Sequence, residues 1–141
     1  MDALDQRLLA LLTENSRRNI TEMAKELGVT RATVQEHIRR LEHRRIIQGY
    51  TVRLHPDYLQ RQISANVLIE ADQKQLPAVS EQIEQLPAVR ALYSISGQFD
   101  LSATVQGETT EALDREIDKI IAIKGVERTQ TSVYLRRMFE R

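Results

Sequence analysis

The spacing of apolar residues divides the chain into two parts with different periods. In the first part, apolar positions recur three and four residues apart, which is typical of amphipathic helices. In the second part, stretches with alternating apolar and polar residues come between helical stretches, and such alternation is typical of half-buried strands. The pattern therefore predicts a small helical domain followed by an α+β domain.

Two short helices are predicted at the start of the chain. Residues 2–15 carry a stripe of leucines on one helical face, formed by Leu4, Leu8, Leu11 and Leu12. A second helix is expected from a cap at Asn19 or Thr21 to Leu27, and Gly28 ends it, as glycine commonly does just past a helix.

A third helix follows after this tight turn. Thr30 is its predicted cap, and it is expected to run from Arg31 to about Arg44. Its predicted buried side is Val34, Ile38 and Leu41. Its predicted outer side is Ala32, Gln35, Glu36, Arg39 and Arg40, with Thr33 at the margin and Arg31 at the N-terminal end.

A short helix, a glycine turn and a basic amphipathic helix are typical of a helix-turn-helix. Ala32 and Thr33 are small enough for close approach to a base edge, and Gln35 can bond adenine. Arg39 and Arg40 can reach guanine or phosphate. The alternative is a merely solvated, arginine-rich helix face, but the capped helix after a glycine turn favours DNA binding.

The residues after the third helix predict a wing and a hinge. Loose alternation over residues 45–54 favours a β-hairpin, with Arg44, Arg45 and Arg53 beside the phosphate backbone. The predicted organisation is a DNA-binding domain at 1–54, a hinge at 55–62 and a second domain at 63–141.

The second domain predicts the order strand, helix, strand, strand, helix, strand. The predicted strands are 63–70, 89–95, 99–105 and 126–135. The predicted helices are 76–86 and a stretch that is opened by Thr109 or Thr110 and ended by Gly125. This order is that of the ferredoxin-like βαββαβ fold, with both helices on one side of the sheet. The other side is predicted to present Asn66, Leu68, Leu92, Ser94, Ser102 and Thr104. That face lacks central charges, and it predicts a homodimer.

Composition adds a local charge excess and excludes several classes of protein. The 141 residues are 41% hydrophobic and 28% charged, as in an ordinary globular protein, with a net charge of zero. Residues 17–53 hold nine Lys/Arg against four acids, a net +5, around the predicted DNA-reading helix. No apolar run approaches a membrane span, no secretory pattern is present and there are no cysteines, so we expect a cytoplasmic protein. The spacing of His37, His43 and His55 predicts no metal site.

Several short motifs in one order resemble the Lrp/AsnC (feast/famine) family of prokaryotic transcription regulators. In the first half the matching residues are Leu4, Asp5, Ala24, Leu27, Gly28, Val29, Thr30, Val34, Arg40, Leu41, Glu42, Ile47, Gln48, Gly49 and Tyr50. In the second half they are Gly97, Gln98, Phe99 and Asp100, a Gly-x-aromatic-Asp loop, and Gly125 and Val126 before a strand with Thr129 and Thr131. The resemblance covers nearly the whole chain.

This resemblance implies a winged helix-turn-helix and a RAM/AsnC-type domain that dimerises and often assembles further into tetramers, octamers or hexadecamers. It implies an amino-acid effector bound between dimers. The effector-binding residues carried over are Gly97, Gln98, Phe99, Asp100, Thr131 and Val133. The residues themselves allow a purely structural alternative, in which Gly97 is a hairpin glycine, Phe99 lies in the core and Asp100 is a turn residue or a salt-bridge partner in a dimer.

Two positions depart from the family pattern, and two other functions are open. Arg45 and Gln60 stand where the family commonly has glycine, so either Arg45 adopts a left-handed conformation at a cost of about 1 kcal/mol or the turn differs. The alternatives to a regulator are a DNA-organising architectural protein and an enzyme or ligand-handling module on residues 61–141. Against the enzyme, no histidine or cysteine follows His55.

Overall fold

A computed structural model describes residues 1–59 and 62–141, and within the first range it leaves out the side chains of Pro56 and Leu59. The chain forms two compact units, Met1–Arg53 and Leu54–Arg141, each with its own core. The predicted hinge contains a single helical turn, α4 (Pro56–Leu59). The expectation for Gln60 falls outside the described residues.

The first unit is a bundle of three helices, α1 (Ala3–Glu14), α2 (Ile20–Leu27) and α3 (Arg31–His43). Its core consists mainly of aliphatic side chains that the three helices direct inward. They are Leu8, Leu12, Met23, Ala24, Leu27, Val34 and Leu41. Val34 and Leu41 are 1% exposed, whereas Ile38 is half-buried at the edge of the core. The predicted buried side of α3 is therefore correct, with Ile38 less enclosed than expected.

The predicted β-hairpin wing is absent from this structure. Residues 46–55 are described in full and contain no strand. The turn out of α3 is made instead by Arg45, whose φ is 56°. Arg45 therefore adopts the left-handed conformation, which was the first of the two outcomes expected at this position. Four apolar side chains that the hairpin would have paired are exposed here, namely Ile46, Tyr50, Val52 and Leu54. Alternation predicted a hairpin, but among the described residues of this single chain no second strand pairs with the segment.

Beyond α4, the described part of the second unit forms a four-stranded antiparallel sheet with two longer helices. The strands are β1 (Ile63–Ala71), β2 (Val89–Ser94), β3 (Leu101–Gly107) and β4 (Val126–Val133), in the spatial order β2-β3-β1-β4. The helices are α5 (Leu76–Glu84) and α6 (Thr110–Ile121), and Thr109 caps α6 as expected. This is the predicted βαββαβ topology. Helix α6 ends four residues before Gly125, which instead precedes β4.

The core of this unit lies between the two helices and one face of the sheet. The alternating buried residues of β1 and β3 line that face, and α5 and α6 cover it with Val79, Ile83, Leu113, Ile117 and Ile120. The opposite face, which we call the open face, carries the partly exposed residues Ser64, Asn66, Leu68, Ser102 and Thr104. Four of the six residues predicted for that face therefore lie on it.

The other two, Leu92 and Ser94, were assigned to the wrong face. Leu92 pairs with the buried Ala103 and packs on the core, while Tyr93 pairs with Ser102 on the open face and is 60% exposed. The cause is an irregularity in the pairing of β2 with β3 between Val89 and Ala91. One extra residue there reverses the alternation for the rest of the strand, because successive side chains point to opposite faces.

Candidate functional site

The turn between α2 and α3 sets the start of the predicted DNA-reading helix. Gly28 caps α2 with a φ of 71°, in the left-handed region that glycine tolerates best. Two residues later, the Thr30 hydroxyl accepts a hydrogen bond from the Thr33 amide at 3.1 Å. The short turn and the cap therefore fix where α3 begins, as a helix-turn-helix requires.

The outer side of α3 is a continuous polar surface. Six predicted DNA-contacting side chains are exposed there, namely Arg31, Ala32, Gln35, Glu36, Arg39 and Arg40, and Thr33 is half-exposed. Beyond the helix, Arg44, Arg45 and Arg53 are also exposed. A shallow cleft of about 210 Å³ at the end of α3 is lined by Arg39, Arg40, His43 and Arg44. Helical spacing thus brings three predicted arginines together, with His43 as a neighbour that the sequence reasoning did not select.

Arg39 is already paired within the helix. Its Nε and one of its terminal nitrogens donate to the two carboxylate oxygens of Glu36, at 3.1 and 2.7 Å. This hydrogen-bonded pairing lowers the pKa of Glu36 and raises that of Arg39. Both side chains remain more than half exposed, so the pair lies on the outer side of α3 with its polar atoms in reach of a ligand.

Arg40 faces a cluster of acidic residues at the start of α1. One of its terminal nitrogens lies 3.7 Å from an Asp2 oxygen and 3.6 Å from an Asp5 oxygen. The same Asp5 oxygen is 2.7 Å from His37 Nδ1, and the Asp5 carboxyl is buried. The hydrogen bond from His37 is the main reason that the pKa of Asp5 is lowered, against the opposing effect of burial. Arg40 therefore ties α3 to α1 as well as bordering the cleft.

This cluster was missed because its members come from two helices far apart in sequence. A local signal existed, since Asp2 and Asp5 have the three-residue spacing of a capping box, and the structure shows both reciprocal bonds, at 2.8 and 3.1 Å. The two carboxylates and the His37 ring nitrogen lie within 4.8 Å of one another, a spacing that could hold a metal ion. The Arg40 guanidinium already supplies positive charge there.

The predicted effector loop, residues 97–100, is partly exposed and partly built into the fold. Gly97 has a φ of 118° and is exposed together with Gln98. Phe99 is 8% exposed, and the Arg128 guanidinium lies 4.6 Å from its ring centroid. Arg128 also binds Glu70 across the sheet at 2.9 Å. Neither Arg128 nor Glu70 was selected from the sequence, since only strand pairing brings them to this loop.

Both carboxylate oxygens of Asp100 are used inside the domain. One accepts from the Ala71 amide at 3.0 Å and the other from the Gln73 side-chain amide at 2.9 Å. The Asp100 amide donates to the Ile69 carbonyl at 2.8 Å. These bonds join the loop to the end of β1, which is the role that the structural alternative gave this residue.

The remaining two predicted effector residues lie elsewhere on the sheet. Thr131 pairs with Val67 and Val133 with Ala65, whereas β3 begins where Leu101 pairs with Ile69. Since β1 lies between β3 and β4, Val133 is about 10 Å across the sheet and about 14 Å along it from that point. Within one chain, the loop and these two residues do not form a single pocket.

Comparison with known proteins covers both units. The model described as the AsnC-type helix-turn-helix domain matches residues 1–42, and the Lrp/AsnC ligand binding domain matches residues 64–141. The regulator LysM of Saccharolobus solfataricus is 31% identical over 99% of this chain and 96% of its own length. An uncharacterised HTH-type transcriptional regulator of Pyrococcus furiosus is 32% identical over 96% of this chain and 91% of its own length.

Solved structures agree over the whole chain. Escherichia coli AsnC superimposes with a TM-score of 0.88 at 26% identity, covering 100% of this chain and 96% of its own. A feast or famine regulatory protein of Mycobacterium tuberculosis, complexed with L-methionine, gives a TM-score of 0.84 at 28% identity, covering 99% and 95%. With a matching helix-turn-helix, a matching ligand-binding domain and full-length relatives, this chain belongs to the Lrp/AsnC family of transcriptional regulators.

Proposed function

We propose that this regulator binds double-stranded DNA by laying the outer side of α3 in the major groove. The observation that carries the proposal is the continuous exposed surface from Arg31 to Arg44, whose cleft collects Arg39, Arg40 and Arg44. Gln35 and the Glu36–Arg39 pair offer donors and acceptors to base edges, while the remaining arginines suit phosphate oxygens. Arg45 and Arg53, both exposed beyond the helix, extend the basic surface toward the flanking backbone.

The working unit is a homodimer joined through the open face of the sheet. In the middle of that face, Asn66 donates to the Ser102 hydroxyl at 2.9 Å, and charged residues are confined to the edge where Glu70 meets Arg128. A face of this kind suits another copy of itself, and assembly into an octamer would use further surfaces. Two α3 helices related by a two-fold axis would read half-sites about 34 Å apart.

The effector is an amino acid bound at residues 97–100. The M. tuberculosis relative holds L-methionine, and this chain matches the ligand-binding domain model. Gly97 and Gln98 leave backbone groups accessible to a carboxylate, while Asp100 shapes the loop through Ala71 and Gln73. Because Thr131 and Val133 lie on another part of the sheet, they would reach a ligand only from a second copy.

The protein is proposed to act without catalysis, in the cytoplasm where the chromosome lies. No histidine or cysteine follows His55 in the sequence. No described helix is long and apolar enough to cross a membrane. A turnover reaction that Asp100→Ala abolished would contradict this part of the proposal.

Footprinting on the DNA upstream of its own gene tests the DNA-binding role. We expect short protected segments in phase with the helical repeat, and binding that weakens steeply with salt as counterions are released. Long periodic protection with little sequence preference would favour the architectural alternative. Failure to shift this DNA at low salt would overturn the proposal.

Thermal-shift screening against the twenty amino acids tests the effector. A ligand present at 100 times its dissociation constant adds about 2.7 kcal/mol to the free energy of unfolding. A stabilising amino acid should lose its effect in a Gln98→Trp variant, which fills the exposed side of the loop. Stabilisation that survives this change would remove the effector from residues 97–100.

A further inference from the structure

A cleft of about 430 Å³ lies at one edge of the sheet, between α5 and the edge strand β2. From β2 the cleft is lined by Val89, Arg90, Ala91 and Leu92, and from α5 by Ser80, Glu81 and Glu84, so its two carboxylates outnumber its single guanidinium. Neither glutamate forms an ion pair within the described part of the chain. The outer edge of β2 also has no neighbouring strand among the described residues, so its backbone can accept another chain.

The segment that follows β4, residues 134–141, has the complementary chemistry. It carries three strongly exposed apolar side chains, since Leu135, Met138 and Phe139 are 95%, 75% and 74% exposed. Its basic residues include Arg136, which makes no ion pair within the described residues, and Arg137, which pairs with Glu140 at 2.8 Å inside the segment. A stretch this apolar and basic is poorly suited to water alone.

We propose that residues 134–141 of one copy occupy the α5–β2 cleft of a second copy. The apolar side chains would cover Val89, Ala91 and Leu92, and Arg136 would meet Glu81 and Glu84. The exchange is reciprocal, so each dimer contains two such contacts and closes on itself. The inference rests on the dimer in the proposed function and adds which segments it joins.

Strand register places the end of β4 of one copy close to β2 of the other in a stacked dimer. Val133, Ala65, Val105 and Val89 lie in one row across the sheet, from the β4 edge to the β2 edge. If two open faces stack about a two-fold axis parallel to the strands, β4 of one copy lies over β2 of the other, and rows keep their level. The segment therefore begins, at residue 134, at the level of the partner's Val89 and about 10 Å from it, which is the usual distance between stacked sheets.

The same contact within one chain is less direct. The segment leaves from the β4 edge, and its own cleft lies three strand spacings away, about 14 Å across the sheet. Eight extended residues span roughly 26 Å, so the length of the segment alone does not decide between the two arrangements. Crosslinking decides it.

The chain has no cysteines, so engineered thiols report this contact without background. Glu84→Cys and Arg136→Cys proteins would be made separately, mixed, exchanged into mixed dimers and oxidised under mild conditions. We expect a covalent dimer in the mixture and little in either protein alone. Lys119→Cys, an exposed position on α6, replaces Glu84→Cys in the matched control and should give none.

Charge reversal provides a second measurement that does not depend on thiols. Glu84→Arg or Arg136→Glu alone should weaken dimerisation about tenfold in sedimentation experiments, and the two together should restore it. A variant that carries both Glu84→Cys and Arg136→Cys and crosslinks within single chains would overturn the exchange while leaving the DNA-binding dimer intact. The same conclusion would follow if a mixture of the single-cysteine proteins were dimeric by sedimentation but formed no crosslink. A wild-type protein that stays monomeric while binding its operator would overturn both the exchange and the dimer.

Discussion

The outer side of α3 and the loop at residues 97–100 were both selected from sequence as binding surfaces, and they differ in what their polar groups already do. On α3, the five residues predicted for the outer side are exposed. Arg39 pairs with Glu36 on the same helix, and Arg40 faces Asp2 and Asp5 of α1. In the loop, both carboxylate oxygens of Asp100 accept hydrogen bonds from Ala71 and Gln73, and Phe99 is buried under Arg128. A helix can present side chains without using them for folding, whereas a loop must use some of its own to hold its shape.

The largest expected effect comes from removing a core side chain on which α3 packs. Leu41→Ala deletes a side chain that is 1% exposed in the first core, and we expect a loss of about 2–5 kcal/mol in the free energy of unfolding of that unit. Chemical denaturation followed by circular dichroism measures it. Gln35→Ala on the exposed side is the matched control, with a change within about 0.5 kcal/mol. Equal effects of the two changes would mean that α3 does not pack as described.

Asp100→Ala tests whether the loop carboxylate is structural. It leaves the Ala71 amide and the Gln73 side chain without their acceptor, so we expect the second unit to lose about 1–3 kcal/mol of stability. Urea denaturation measures the loss, and Asp100→Asn, which keeps one acceptor oxygen, should cost less. Asp114→Ala, an exposed carboxylate on α6, serves as the control. If the Asp100→Ala protein were fully stable and lost only its response to an effector, the loop carboxylate would serve binding rather than folding, as the outer side chains of α3 do.

Arg39 and Arg40 sharpen the comparison within α3 itself. Arg39→Ala should weaken DNA binding by about 1–3 kcal/mol and leave stability almost unchanged, because its partner Glu36 is exposed. Arg40→Ala should weaken binding and also lower the melting temperature, because it removes the charge facing Asp2 and the buried Asp5. Mobility shifts over a salt series and thermal melts of both variants check this, with Arg115→Ala as the control. If the Arg39→Ala and Arg40→Ala proteins had the same melting temperature, Arg40 would contribute to DNA binding only and not to the contact between α3 and α1.

Residue patterns predicted much of this fold because most elements follow local rules. The caps at Asn19, Thr30 and Thr109 and the spacing of Val34 and Leu41 depend only on neighbours along the chain. The rest depends on contacts that spacing does not contain. Asp5 finds His37 across two helices, and Asp100 finds Gln73 across two strands. The prediction of a β-hairpin wing was wrong for the same reason. Alternation shows that a segment could form a strand, but not which segment would pair with it.

The smallest expected effect concerns the segment after α3. The Tyr50 hydroxyl donates to Glu42 at 2.7 Å, so Tyr50→Phe should cost less than about 1 kcal/mol at neutral pH. Partial desolvation of the hydroxyl, followed by the bond to Glu42, raises the pKa of Tyr50 to about 12, although the residue as a whole is 54% exposed. A raised pKa stabilises the fold fully below the unfolded value of about 10, and that contribution disappears as the pH rises toward 12. Ultraviolet absorbance titration of the phenolate measures the ionisation, and Tyr58→Phe, a change at an exposed tyrosine, is the control.

The irregularity between Val89 and Ala91 also affects how relatives can be compared position by position. Leu92 and Tyr93 are adjacent in sequence, but one packs on the core and the other lies on the open face. A relative without the extra residue would carry the opposite assignment from that point to the end of β2. At about 30% identity, an alignment that misplaces a one-residue gap there would score almost as well as the correct one. It would nevertheless transfer every open-face residue of this strand to the wrong side of the sheet.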